Sequence, residues 1–288
     1  MIPIERAVPT SLPCAAVLVV AVCAGGCDDA PVEPEEPSQR DVLNQLHDAT
    51  SWARWHNRDN WGTDAPLDTW YGVTADSDGN VIGLALGGNS LAGPIPAELG
   101  KLDRLRTLDF AHNGLEGPIP PELGSLRNLE HADLSSNGLT GSVPAELGKL
   151  GNLRTLRLYD NRLSGPIPPE LGSLPSLDSL VLGWNWLFGP IPPELGNLAE
   201  LHVLSLGGNV LTGPVPPELG NLGTLEYLHL NQNLLSGPLP HTMIRVPLRR
   251  FSWNRTKLCA PADDEFQRWL ASIPFNEGNS NCAGGRGR

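Results

Sequence analysis

Apolar and polar positions repeat along the central part of the chain with a period of 24 residues. Asparagines mark this period most clearly, and they are Asn89, Asn113, Asn137, Asn161, Asn185, Asn209 and Asn233. Each is preceded by a variant of the pattern L-x-x-L-x-L-x-x-N, such as LRTLRLYDN at 153–161. The alternation of apolar and polar residues predicts one short strand in every copy, with the leucines on its buried side. An unbroken period indicates a stack of similar units that share one continuous core.

The second half of each copy is a variant of L-x-G-x-[IVL]-P-x-x-L-G-x-L, and the whole repeat resembles the plant-type, 24-residue class of leucine-rich repeats. The resemblance extends from Val81 to about Cys259 and includes a degenerate eighth copy, with Thr256 in place of the asparagine. It implies an α/β-type solenoid of about eight repeats, a curved right-handed superhelix with a parallel β-sheet on its concave face. Inward leucines, asparagine amides bonded to the backbone and glycines at bends are then structural residues.

The segments on both sides of the repeats, 39–80 and 259–288, have the features of helical caps. Residues 39–80 begin with apolar residues at helical spacing and then carry four tryptophans, which we expect to seal one end of the core: Trp52, Trp55, Trp61 and Trp70. Their WYGVTAD ending resembles the N-terminal cap of the same family without its cysteine pair, which favours the cysteine-poor bacterial relatives. DSDGN at 76–80 predicts a hairpin turn, because Asp-Gly joins two apolar runs. In the second segment, helical spacing of apolar residues predicts a helix before a flexible tail: Phe266, Trp269, Leu270 and Ile273.

Residues 1–27 are expected to be an export signal. Leu12 to Ala24 is an apolar run of signal-peptide length, too short for a membrane-spanning helix. The AGGC that follows resembles the lipobox of bacterial lipoproteins, which implies that Cys27 becomes the lipidated residue. Residues 28–38 are acidic and rich in proline, and they predict an extended tether. We therefore expect an exported, membrane-anchored lipoprotein of the cell envelope, with plain secretion as the alternative.

The chain has five cysteines, and their positions agree with export. Cys14 and Cys23 would leave with the signal peptide, and Cys27 would carry the lipid. The remaining two, Cys259 and Cys282, are then expected to form a disulfide bond with each other.

Charge and composition narrow the classes of partner. The formal net charge of −12 disfavours nucleic acid, because phosphate binding needs a basic surface and the basic residues here are scattered. An enzyme is not indicated, since Asp109 and Asp133 are neighbouring carboxylates on an open sheet without an enclosed pocket. The histidines lack the tight spacing of metal ligands. We expect a non-enzymatic, monomeric protein with no cofactor and no metal.

The exposed places of the repeat strands form the candidate binding surface. Counted from the first leucine of each pattern, the third, fifth and seventh places point away from the core. The fifth-place residues are Ala85, Asp109, Asp133, Arg157, Val181, Ser205, His229 and Ser252. With strands about 4.8 Å apart, this surface would extend over roughly 35 Å, which suits a protein, a peptide or a glycan better than a small metabolite.

One copy departs from its sisters by three aromatic residues, in GWNWLFGP at 183–190. Trp184, Trp186 and Phe188 occupy the eighth, tenth and twelfth places, which are outside the inward set, so we expect them to be at least partly exposed. Tyr159 lies one repeat earlier, and glycines 207 and 208 lie one repeat later, which predicts an aromatic shelf beside open space. The candidate ligand-binding residues of the concave face are therefore Asp109, Asp133, Arg157, Tyr159, Trp184, Trp186 and His229.

Two interpretations of the aromatic copy remain open. In one, the rings anchor a ligand, as tryptophan, tyrosine and arginine often do. In the other, they pack flat on the lateral flank between Arg162 and Val210. For the protein as a whole, the leading hypothesis is a binding module at the cell surface or secreted. The alternatives are a structural or surface-matrix repeat protein, including an ice-binding-like one, and an inhibitor of secreted cell-wall hydrolases.

Overall fold

The repeats stack into a curved solenoid with a long parallel sheet on its concave side. The computed structural model describes residues 36–279, 281 and 282, which contain eighteen strands. In chain order these are β1 Val73–Ala75, β2 Val81–Ala85, β3 Ala92–Gly93, β4 Thr107–Asp109, β5 Gly114–Pro118, β6 His131–Asp133, β7 Gly138–Thr140, β8 Thr155–Arg157, β9 Ser164–Gly165, β10 Ser179–Val181, β11 Trp186–Gly189, β12 Val203–Ser205, β13 Val210–Gly213, β14 Tyr227–His229, β15 Leu234–Pro238, β16 Arg250–Ser252, β17 Lys257–Cys259 and β18 Phe275–Glu277. The concave sheet contains ten of them, β1 and all the even-numbered strands. β1 pairs antiparallel with β2 through the turn at 76–80, and the strands that follow pair in parallel.

The odd-numbered strands form smaller sheets beside the concave one. β3, β5 and β7 make a three-stranded sheet, and β9, β11, β13, β15 and β17 make a five-stranded sheet, called here the flanking sheet. The convex side carries short 3-10 helices, at Ala97–Lys101, Pro121–Ser125, Ala145–Lys149, Pro169–Ser173, Pro193–Asn197, Pro217–Asn221 and His241–Arg245. Adjacent 3-10 turns approach closely, since a Cβ on Gly172 would collide with the carbonyl of Glu194. A glycine is required at that approach.

Buried leucines and a ladder of asparagine amides hold the repeats together. The leucines of the repeat pattern are almost fully buried. In the ladder, the amide of Asn185 donates hydrogen bonds to the carbonyls of Leu158 at 2.9 Å and Leu182 at 3.2 Å. Its side-chain oxygen accepts a bond from the N–H of Leu163 at 3.0 Å. The asparagines from Asn113 to Asn233 each satisfy backbone groups of their own repeat and of the preceding one, whereas Asn89 bonds to the backbone of Asn57 in the N-terminal cap.

Both ends of the solenoid are closed by helical caps. At the N-terminal end, helix α1 (Gln39–Ala49) begins at a Ser38 and Asp41 capping box. Two further 3-10 helices, Trp52–Arg54 and Leu67–Thr69, follow it. Three of the four tryptophans predicted to seal this end are buried, whereas Trp52 is exposed and stacks on His47.

The C-terminal cap is built on helix α2 (Asp264–Ser272), whose Phe266 and Leu270 are buried. A disulfide bond joins Cys259 and Cys282, as predicted, with 4.7 Å between their Cα atoms. The export signal with Cys27, most of the tether and the last residues of the tail lie outside the described residues. No helix in the described part of the chain is long and apolar enough to cross a membrane.

Candidate functional site

The N-terminal half of the concave sheet carries a small charged group of side chains. Asp109, Asp133 and Arg157 are in register on adjacent strands. A guanidinium nitrogen of Arg157 lies 3.6 Å from a carboxylate oxygen of Asp133, and the Asp133 carboxylate also accepts a bond from the N–H of Ser135 at 3.0 Å. These side chains line an open depression of about 330 Å³ together with Thr107, His131 and Thr155. This region can form ionic and polar contacts with a ligand.

The middle of the concave sheet is a floor of small side chains between two higher walls. The floor consists of Ser179, Val181, Val203 and Ser205, on strands β10 and β12. On one side lie Arg157, in register with Val181, and Tyr159 two residues after it. On the other side lie Tyr227 and His229, in register with Val203 and Ser205. Because the two walls are three strands apart, about 14 Å separates them. A trough of this width accepts one extended chain or a sugar-sized ring.

His229 in the second wall is half-buried. Burial lowers the pKa of its imidazole, the neighbouring Arg250 lowers this pKa further, and Glu277 raises it by a smaller amount. A lowered pKa favours the neutral ring at physiological pH. His229 therefore offers one hydrogen-bond donor and one acceptor to a ligand, and not a fixed positive charge.

Trp184 lies in the turn between β10 of the concave sheet and β11 of the flanking sheet. Its backbone is in the left-handed region, with φ at +54°, and its side chain is 52% exposed, as expected from its place in the repeat. The indole rests on Gly208 of the next repeat, since a Cβ there would lie 3.1 Å from the ring atoms. The expectation of empty space at glycines 207 and 208 is therefore wrong. The indole covers Gly208, and a Cβ on Gly207 would lie 2.7 Å from the Asn231 side-chain oxygen.

Tyr159 and Trp184 present separate rings and not a stacked shelf. A Cβ on Gly183 would lie 3.5 Å from the Tyr159 ring, so this ring leans over Gly183. The aromatic pairs found among the described residues lie in the two caps and in the last repeats next to the C-terminal cap, and they do not join Tyr159 with Trp184. Both rings remain partly exposed. They can contact the same ligand, but from adjacent repeats.

Trp186 does not lie on the concave face, although it was predicted to be one of the ligand-binding residues of that face. It is part of β11, which pairs with β9 and β13 in the flanking sheet. Phe188 is on the same strand two residues later, so both side chains point to the same side of this sheet. They are exposed by 60% and 52%, respectively. Both residues therefore lie on the lateral flank, where the packing alternative put them, but more than half of each is exposed.

Two further exposed apolar residues, Val210 and Leu234, extend the surface that Trp186 begins. Both occupy the tenth place of the following repeats. The apolar residues of that column are visible in the sequence, but they were not among the predicted site residues. A depression of about 430 Å³ lies between Trp184, Trp186 and Val210, with Asp160 and Gln232 at its two polar ends.

The described residues contain no group of three or more His, Cys, Asp or Glu side chains that could hold a metal ion. The arrangement provides open surfaces with exposed aromatic rings, one charged group and a trough. Such surfaces can recognise a large or extended ligand by shape, stacking and hydrogen bonds.

Comparison with known families identifies the repeat. The Leucine Rich Repeat family model matches residues 104–126, 128–150, 152–174 and 200–222. No curated protein sequence matches the chain significantly.

Several solved structures resemble the whole solenoid. One is the ectodomain of the plant membrane receptor kinase GASSHO1/SCHENGEN3 from Arabidopsis thaliana in complex with CASPARIAN STRIP INTEGRITY FACTOR 2, with 34% identity and a TM-score of 0.77. Another is the ectodomain of the Arabidopsis receptor kinase HAESA in complex with an IDA peptide hormone ligand, with 31% identity and a TM-score of 0.74. These alignments cover 85% and 84% of this chain but only 30% and 41% of the receptor chains, so the protein spans well under half of either ectodomain.

A plant ice-binding protein is also similar, with 28% identity and a TM-score of 0.60. That alignment covers 85% of this chain and 97% of the ice-binding protein. The two molecules are therefore comparable in length as well as in fold.

Proposed function

Since this chain is a leucine-rich repeat protein, we propose that it is a non-enzymatic binding module that recognises a protein, peptide or glycan through its concave face. The observation that carries the proposal is the trough of small residues between Arg157 and Tyr159 on one side and Tyr227 and His229 on the other. Its side chains vary from strand to strand, whereas a merely stacking surface would repeat one residue type. The peptide-hormone complex of HAESA supports a ligand of peptide type.

We propose that the repeats are of the plant-type class in a bacterial exported protein, anchored as a monomer to the envelope membrane through Cys27. The disulfide between Cys259 and Cys282 supports export, because such bonds persist in oxidising compartments. Replacing Cys27 with Ser tests the anchor. The variant should move from the membrane fraction to the soluble exported fraction. If the variant and the parent fractionate alike, the anchor is refuted and secretion replaces it.

A capture experiment tests the binding function. The full chain is immobilised and exposed to an extracellular fraction, beside the variants Tyr159→Ala and Trp184→Ala. Each substitution should weaken capture by about 2 kcal/mol, within the range of binding hot spots, because each removes an exposed aromatic contact. Glu194→Ala on the convex side is the matched control and should capture normally, since its side chain is exposed there. Loss of thermal stability with unchanged capture would assign both rings to packing.

Ice binding is a second candidate, because the plant ice-binding protein matches over nearly its whole length. A regular, flat column of one residue type would favour it. The exposed tenth-place column instead changes from Arg162 through Trp186, Val210 and Leu234 to Lys257. Thermal hysteresis of the purified protein decides between the two, since a measurable freezing-point gap would support ice binding.

A further inference from the structure

The flanking sheet carries an exposed apolar strip that the concave trough does not use. Its members are Trp186, Phe188, Val210 and Leu234, with exposures of 60%, 52%, 42% and 53%. Strand register brings them together, since Phe188 pairs with Val210 and Leu234 pairs with Thr212 on the next strand. About half of each side chain is exposed, which amounts to about 400 Å² of apolar surface. This area is in the range of the largest apolar patch on a typical monomeric protein, and such patches are often functional.

Positive charges stand at both ends of the apolar strip. Arg162 lies two residues before Ser164, which pairs with Trp186, and Lys257 pairs with Ser236, two residues after Leu234. Arg255 lies two residues before Lys257. All three side chains are exposed, and none takes part in the ion pairs formed within the described residues. Asp160 is the nearby acidic residue in the eighth-place column. In a protein with a formal net charge of −12, this strip is thus a local cationic region.

We propose that the apolar strip is a docking surface for an anionic lipid membrane, on which the solenoid rests by its flank. Tryptophan and phenylalanine insert into the headgroup region, and the basic side chains at either end contact lipid phosphates. Charge complementarity favours this occupant. A second copy of the chain is less suitable, because a stable dimer buries about 800 Å² per partner, twice the area of the strip.

The test uses residues 28–288, which lack both the apolar run at 12–24 and the cysteine proposed to carry the lipid, so that neither contributes to binding. We expect this protein to sediment with vesicles of equimolar phosphatidylcholine and phosphatidylglycerol, and to sediment weakly with pure phosphatidylcholine vesicles. Adding Trp186→Ser and Phe188→Ser should lower the partition coefficient about tenfold. Phe275→Ser is the matched control, because Phe275 has the same exposure of 60% but lies on the concave sheet.

A second variant separates charge from apolar contact. Arg162→Glu together with Lys257→Glu should abolish the preference for anionic vesicles, and added salt should have the same effect on the parent. Circular dichroism melts confirm that each variant is folded.

The proposal is overturned if the parent does not prefer anionic vesicles, or if Phe275→Ser loses as much binding as the strip variant. It is also overturned if Trp186→Ser abolishes a concentration-dependent dimer, because a second copy would then be the occupant. Failure of the anchor would appear separately, in the fractionation of the Cys27→Ser chain.

Discussion

The indole of Trp184 lies directly on the backbone of Gly208 in the next repeat, where a Cβ would approach the ring atoms to 3.1 Å. Gly208 has a φ of +70°. Gly88 occupies the same place in the first repeat, with a φ of +64° and no atom within 4 Å of a built Cβ. Alanine substitutions at Gly88 and Gly208 can therefore separate the effect of backbone strain from the effect of contact with the indole.

We expect Gly88→Ala to reduce the free energy of unfolding by about 1 kcal/mol, from left-handed strain alone. Gly208→Ala should lose about 1 kcal/mol more, because the new methyl group displaces the indole. Denaturant melts of both variants measure the difference. Equal losses would mean that the indole moves freely and that Gly208 does not hold it.

The asparagine ladder gives the strongest stability prediction. Asn185→Ala removes the acceptor for Leu163 and the donor for Leu158 in a buried position, so it should destabilise the protein by roughly 2–4 kcal/mol. Asn152→Ala is the control, because Asn152 makes one exposed bond to the carbonyl of Arg127. Chemical denaturation should show little change for that control. Similar losses of stability for the two variants would show that an asparagine of the ladder contributes no more than one with an exposed hydrogen bond.

His229 predicts a pH dependence of stability. Its pKa is lowered in the folded state, so the unfolded chain binds the proton more readily, and stability falls as pH drops below about 6.5. NMR titration of the imidazole should give a midpoint below that value. Arg250→Gln should raise the midpoint, because Arg250 lowers the pKa of His229. A midpoint at or above 6.5 in the parent would contradict the buried environment.

The disulfide is expected to stabilise the C-terminal cap more than the rest of the molecule. Cys259 and Cys282 close a loop with a sequence separation of 23, and removing the bond should lower stability by about 3 kcal/mol. In the double variant Cys259→Ala, Cys282→Ala, hydrogen exchange should accelerate first in α2 and β18, since repeats contact mainly their neighbours. Uniform acceleration along the solenoid would instead indicate global coupling.

The sequence predicted the solenoid well because its leucines and asparagines recur at one fixed interval. It predicted the exposure of Trp184 for the same reason. It placed Trp186 on the wrong sheet. The chain passes from the concave sheet in β10 to the flanking sheet in β11, and strands pair in a different register in the two sheets. Paired residues are 24 positions apart in the concave sheet, as in Val181 and Ser205, but 22 apart in the flanking sheet, as in Phe188 and Val210. A column alignment at one period cannot show that change.

The contact of Trp184 with Gly208 was also beyond the sequence. The glycine at position 208 predicted open space beside Trp184. The left-handed backbone at Trp184 instead directs its ring over that glycine. Side-chain direction at a turn depends on the local backbone angles, which the repeat pattern does not specify.

The central claim is that a ligand occupies the concave trough. A photo-cross-linking amino acid placed at Ser205, on the floor, tests this directly with the ligand captured from an extracellular fraction. The same group at Glu194, on the convex side, is the control. We expect a cross-linked ligand from position 205 and none from position 194. Cross-linking from position 194 alone, with none from position 205, would contradict it.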